Sequence, residues 1–235
     1  MCDKDNAKNL TRINTICSTL DFSGSNIIDF LNNLLISDLT TMSRDKFHYT
    51  TVCNPKGRMI ASLLINIVSD EKIYLICPRN MQEQLTAFFN MRKFRLKITI
   101  KTSNKVVAIN EKNNSITLIQ NNSLSQEQEE IAEIATFYHL MFTQDLPWIN
   151  ANNTEKFIPQ HVNLDQKENI MSFSKGCYPG QEIIARIKYL GKIKKRMQLF
   201  ENSNKKELEN DVENLALVSP IICLNSNNKF YVQNI

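Results

Sequence analysis

Apolar positions change their spacing several times along the chain, and each change marks an element. Ile27, Ile28, Leu31, Leu34 and Leu35 recur at helical spacing after Ser25, a residue type that caps helix N-termini. They predict a helix ending near Ser37, with Asp38 just beyond it. Residues 47–53, 58–68 and 72–77 are rich in β-branched and aromatic side chains and read as strands. Asn54-Pro55-Lys56-Gly57 between the first two carries type I turn preferences, and Ser69-Asp70-Glu71 predicts a second hairpin. Met81, Leu85, Phe88 and Phe89 after Asn80 predict another helix. Arg95–Ile100 alternates with period two, as a half-buried strand does. Strands at 105–109 and 115–119 flank a Lys112-Asn113-Asn114 turn, and a short run at Asn14–Cys17 suggests an opening strand. Asn121-Asn122-Ser123 reads as a hinge. Ser125 and Gln128 then form a capping-box pattern before a helix burying Ile131, Ile134, Ala135, Tyr138 and Phe142, which stops at Pro147-Trp148. Short strands are expected at 196–200 and, beyond the polar stretch Glu201–Asn214, at 215–218, 220–224 and 229–233. Helices and antiparallel strands in mixed order imply an α+β fold rather than repeated βαβ units.

Composition adds bounds rather than identity. With 235 residues, 42% hydrophobic and 22% charged, the chain has the make-up of a globular protein able to bury a substantial core. No apolar run approaches the ~20 residues of a membrane span, and the polar start Met1–Asn6 shows no signal-peptide pattern. The expectation is a cytoplasmic protein without membrane or DNA partners. The net charge of +4 permits an anionic ligand or RNA without requiring either. The six cysteines are scattered, with no C-x-x-C pair, which argues against a zinc ribbon, a cluster motif or a disulfide framework. Cys53, Cys77 and Cys223 fall in predicted strands as small buried hydrophobes. His48, His139 and His161 lie far apart with no partner motif, and no metal site is expected.

The stretch with chemistry in it is Lys175-Gly176-Cys177-Tyr178-Pro179-Gly180-Gln181-Glu182, continued by Ile183-Ile184-Ala185-Arg186. Two glycines and a proline within six residues exclude a regular element, and helical spacing begins immediately afterwards. A cysteine is thereby placed in a tight loop just before a helix N-terminus. Lys175 and the helix macrodipole both favour the thiolate, while Glu182 opposes it. Cys177 reads either as a functional thiol or as a small residue tolerated in a turn. Gly176 and Gly180 shape the loop. Gln181, Glu182 and Arg186 either brace it through polar contacts or form a solvated helix face. The run Arg186, Lys188, Lys192, Lys194, Lys195 and Arg196, with Tyr189 interleaved, could contact phosphates or be an ordinary charged face.

These residues resemble the signature of the YgfZ family, folate-binding relatives of the glycine-cleavage T-protein. The likeness continues through Phe157-Ile158-Pro159-Gln160, Asn163-Leu164 and Ser172-Phe173 upstream, and through Tyr189-Leu190-Gly191 and Lys194-Lys195-Arg196 downstream. Gly24, Phe30-Leu31 and Asp38 are similar to the family's opening, and Asn54-Pro55-Lys56-Gly57-Arg58 to its P-K-G-R turn. The chain departs from the pattern before Pro147, where Phe142-Thr143-Gln144-Asp145-Leu146 lacks the family's glycine.

The resemblance implies a T-protein-like fold of α+β subdomains around a central folate pocket, with a shortened C-terminal β-barrel. The corresponding division is 1–120, 121–190 carrying the cysteine loop, and 191–235. It also implies tetrahydrofolate or a derivative as cofactor, iron–sulfur enzymes or cluster-assembly proteins as partners, and an indirect link to tRNA modification. Lys175 and Cys177 would then be the chemical groups, with Tyr178 among the loop residues. Asp38 would accept the adjacent N–H donors of a pterin, in the geometry that makes charge-assisted bonds strong; its local alternative is a turn residue. Lys56 and Arg58 would meet the glutamate tail of a folate, or would be surface cations. Two rival readings are an aminomethyltransferase-like enzyme and an RNA-binding module that does not use folate.

Overall fold

The computed structural model describes residues 10–44, 46–110, 112–120, 130–202, 216–217, 222–224 and 227–233. Its centre is a five-stranded antiparallel sheet in the order β3-β4-β5-β2-β6, formed by β2 (Cys17–Gly24), β3 (Phe47–Cys53), β4 (Met59–Ser69), β5 (Lys72–Pro78) and β6 (Ile98–Thr102). A second sheet in the order β1-β7-β8 comprises β1 (Leu10–Arg12), β7 (Lys105–Asn110) and β8 (Ser115–Gln120). Strands β9 (Met197–Asn202), β10 (Ala216–Leu217), β11 (Ile222–Leu224) and β12 (Asn227–Gln233) form a third, antiparallel sheet, with β9, β10 and β11 each paired to β12. The helices are α1 (Ile27–Asn32), α2 (Gln82–Lys93), α3 (Glu130–Thr143) and α4 (Gln181–Leu190).

The central sheet is apolar on both faces, which explains why its strands read as near-continuous hydrophobic runs. On β5, Ile73, Leu75 and Cys77 face one core while Ile76 faces another, as period two requires. The first core closes with Ile27 and Leu31 of α1 and Leu85 and Phe89 of α2. The second takes in Val107 and Ile109 of β7, Phe137 and Leu140 of α3, Trp148, Tyr178 and Ile184. Burial holds the Cys77 thiol up at about 12, and it pushes the Cys17 and Cys53 thiols up as well, so these three are inert core residues.

Several elements differ from their sequence patterns, each for a tertiary reason. Residues 14–16 form a turn between β1 and β2 rather than a strand. Helix α1 ends at Asn32, because Leu35 bridges to Val52 and the Ile36 N–H donates to the Thr51 carbonyl at 3.1 Å. The edge of β3 captures the chain before the helical pattern is used up. The α1 N-cap is Asn26, in the left-handed region at φ 63°, not Ser25. A 3-10 turn at Arg79–Met81 precedes α2, so Asn80 is not its cap. Strand β6 begins only at Ile98, since Phe94 leaves α2 at φ 42° and the Leu96 N–H still bonds back to Lys93. The expected hinge and capping box at 121–128 lie outside the described residues.

Candidate functional site

The cysteine loop is clamped from both ends. Upstream, the Lys175 ammonium donates to the carbonyls of Asn32 (2.5 Å), Leu35 (2.5 Å) and Ser37 (2.7 Å), closing the open end of α1 and the strand-like segment after it. The same Nζ lies 4.9 Å from the centre of the Tyr178 ring. Burial lowers the Lys175 pKa to about 8, and the Asp38 carboxylate works against that shift. The sequence reading aimed this cation at the thiol; the structure directs its hydrogen bonds to backbone carbonyls instead. Tyr178 is buried in the second core, and its hydroxyl has no hydrogen-bond partner among the described residues.

Downstream, Gly180 caps α4 at φ 81° and presses against the 54–57 turn. A Cβ at this position would lie 2.5 Å from the Asn54 carbonyl oxygen and 2.6 Å from the Cα of Gly57. Gly57 is itself at φ 73°, with Ile184 across from it. The two motifs, far apart in sequence, therefore meet glycine against glycine. Asn54 organises the turn: its Oδ1 accepts from the N–H of Lys56 at 2.9 Å and of Arg58 at 3.0 Å. Gln160, fully buried, donates to the Ile184 carbonyl at 2.7 Å and ties the 3-10 turn Pro159–Val162 to α4. Cys177 is exposed and free between these anchors. Gly176, Glu182 and Arg186 are also exposed, and Gln181 is partly buried.

Asp38 and the two cations of the P-K-G-R turn are not brought together. Asp38 caps the 3-10 turn Leu39–Thr41, its Oδ1 accepting from the Thr40 N–H at 3.0 Å and hydroxyl at 2.6 Å. It borders an open cleft of about 440 Å³ with Ser172, Phe173, Lys188 and Tyr189. The Lys188 ammonium sits 3.7 Å from the Phe173 ring centre, and Phe173 meets Tyr189 edge-to-face. Arg58 turns elsewhere, donating to the carbonyls of Glu155 and Lys156. Lys56 is exposed at the turn. Neither lines this cleft.

A larger cleft, about 650 Å³, opens between the central sheet and β8. Phe47, Tyr49 and Tyr74 supply aromatic surface, Asn66 and Gln144 carboxamides, and Lys46 and Lys105 positive charge. The Lys105 ammonium lies 4.5 Å from the Tyr74 ring centre. The Tyr49 hydroxyl is fixed inside by Ser62 (2.6 Å) and by donation to the Pro147 carbonyl (2.9 Å). Beside Gln144, Asp145 adopts φ 49°, a left-handed conformation that this residue type tolerates. Sequence reading named none of these wall residues as a site. They come from separate strands, and no local motif links them.

Although no family model matches the chain, curated relatives do. It is 28% identical over 214 residues to the tRNA-modifying protein YgfZ of Blochmanniella pennsylvanica, a match covering 72% of this chain and 64% of that protein. The chain is similar to YgfZ proteins over most of its length. An uncharacterized protein of Haemophilus influenzae is 29% identical over 205 residues, covering 81% of this chain and 72% of the relative. Among solved structures, the glycine cleavage system aminomethyltransferase T from Bartonella henselae aligns at a TM-score of 0.39 and 15% identity, over 42% of this chain and 27% of that one. Among the described residues no helix is long and apolar enough to cross a membrane.

Proposed function

We propose that this protein is a YgfZ-type, folate-binding accessory factor, acting through iron–sulfur enzymes on tRNA modification, with Cys177 as its exposed functional thiol. The 650 Å³ cleft carries the proposal. Its volume lies within the ~300–1,000 Å³ typical of cofactor sites. A pterin needs a flat apolar wall and a hydrogen-bonding edge, and the para-aminobenzoyl-glutamate tail needs cations. Phe47, Tyr49 and Tyr74 suit the first need, Asn66 and Gln144 the second, Lys46 and Lys105 the third. Asp38 is a weaker candidate than the sequence suggested, because its Oδ1 is already held by Thr40. The link to tRNA modification rests on the printed name of the Blochmanniella relative. The iron–sulfur role and the thiol rest on the likeness of the cysteine loop.

Calorimetric titration with tetrahydrofolate, kept reduced and anaerobic, tests the reading. Wild type should bind saturably. Asn66→Ala and Lys46→Glu should each weaken binding by about tenfold, the size of one charged hydrogen bond, while Asp38→Ala should leave it near wild type. Loss on Asp38→Ala alone would move the ligand to the smaller cleft, and no binding by folded wild type would end the folate reading.

A further inference from the structure

Helix α2 hands over to β6 through a turn whose side chains face water rather than a core. Met91, Phe94 and Leu96 are 72%, 80% and 41% exposed, although these residue types are normally among the most buried. Phe94 is also held at φ 42° and ψ −108°, outside the regions open to a bulky L-residue. Packing does not repay that strain, since Phe94 belongs to neither hydrophobic core. The backbone instead displays the ring on the surface.

The same segment is strongly basic. Arg92, Lys93, Arg95, Lys97, Lys101 and Lys105 follow one another between Glu83 and Glu111 without a carboxylate among them. Lys93 is engaged locally, donating to the Ile98 carbonyl at 2.7 Å, and Arg92 lies over the Phe88 ring, 3.5 Å from its centre. Arg95 stands over Phe94 itself, at 5.2 Å. Lys97 and Lys101 are exposed along β6, the strand that ends the five-stranded sheet. The carboxylate opposite Lys101 on β2, that of Asp21, is already held by Lys72 at 2.5 Å. Beyond Gly24, the β4–β5 turn adds Glu71 and Asp70, the latter paired with Arg44. The exposed cations therefore outnumber the acids beside them.

We propose that this turn and the outer edge of β6 bind single-stranded RNA, with a base stacked on Phe94 and phosphates met by Arg95, Lys97 and Lys101. Single-strand sites combine cations that follow the backbone with aromatic faces on which bases lie. Arg95 covers one face of the Phe94 ring and leaves the other for a base. A lipid surface would call for apolar side chains outermost and cations drawn back to a rim. Here apolar and cationic residues alternate from Met91 to Lys97, and a guanidinium lies over the most exposed aromatic ring among the described residues. In naming RNA the inference rests on the proposed link to tRNA modification; it is independent of the folate cleft.

Fluorescence anisotropy of the whole protein with a fluorescein-labelled single-stranded RNA of about 12 nucleotides, within the range of single-strand site sizes, tests the proposal. Wild type should bind saturably and lose affinity as salt rises. Phe94→Leu, which keeps apolar bulk and removes the flat face, should weaken binding by about tenfold, and Phe94→Trp should keep it. Lys97→Gln and Lys101→Gln should each reduce the log–log salt slope by about 0.7. Lys112→Gln, an exposed cation outside the segment, should change nothing. All these side chains are exposed, so the variants should fold as wild type does. Absence of binding by folded wild type would overturn the proposal, and so would binding that Phe94→Leu leaves intact. A loss confined to Lys192→Gln and Lys194→Gln would overturn it as well, by moving the RNA to the basic run after α4. Wild type that binds phosphatidylserine vesicles and not the RNA would assign the turn to a lipid surface instead. None of these residues lines the folate cleft, so failure here leaves the folate titration unaffected, and the reverse.

Discussion

Lys175 shows how far a single residue's role departs from its neighbourhood in sequence. Two positions from Cys177, it nevertheless directs its ammonium into three carbonyls at the end of α1. Burial lowers its pKa from 10.5 to about 8. The unfolded chain therefore binds that proton more tightly, and unfolding takes one up between these two values. Stability contributed by this group rises with pH across the window; the cost of the buried charge is fully present below it and gone above it. The difference in urea-unfolding free energy, wild type minus Lys175→Met, should accordingly grow from about pH 7.5 to about pH 10. A difference that shrinks over this range would show that the three carbonyls hold the ammonium more firmly than burial opposes it. Sequence marked Lys175 and Cys177 as important because the loop's residue types are unusual. It could not say where a five-bond side chain would reach, since its acceptors lie about 140 positions away.

At the scale of elements, the most constraining contact is the meeting of two turns through Gly57 and Gly180. The neighbours of Gly180 are backbone atoms that cannot swing aside, whereas Gly57 faces mainly the side chains of Ile183 and Ile184. Gly180→Ala should lower unfolding free energy by about 2–4 kcal/mol, from forced separation plus a left-handed alanine. Gly57→Ala should cost less. Urea denaturation of the two variants checks the order, and a Gly180→Ala midpoint at the wild-type value would refute the interlock. Both turns were legible in advance, because proline and glycine announce them. Their partnership was not, and neither was the early end of α1, which Val52 and Thr51 decide from another strand. The same limit hid the larger cleft: Tyr74, Asn66 and Lys105 each look like ordinary strand residues until the sheets are assembled.

The described residues form two hydrophobic cores on opposite faces of one sheet. Neither can lose its packing without exposing strands that the other needs, so the described body should unfold as one unit. Trp148, the only tryptophan, is buried in the second core with its ring 4.9 Å from that of Phe137. Its fluorescence reports that core alone, while far-UV circular dichroism reports both. The two urea transitions should coincide, and a fluorescence change preceding the loss of ellipticity would show that the second core melts separately. The α+β class was readable from the order of patterns, but the sharing of one sheet by two cores was not, since a strand buried on both faces has no alternation to reveal it. The clamps at Lys175 and Tyr178 bear on how the molecule meets others. Only Gly176 and Cys177 lie between them, and even a taut chain covers just ~3.3–3.6 Å per residue. The thiol is thus a fixed post rather than a swinging arm. It cannot ferry a group from one place to another, and any choice among reactants rests with the surface that comes to it.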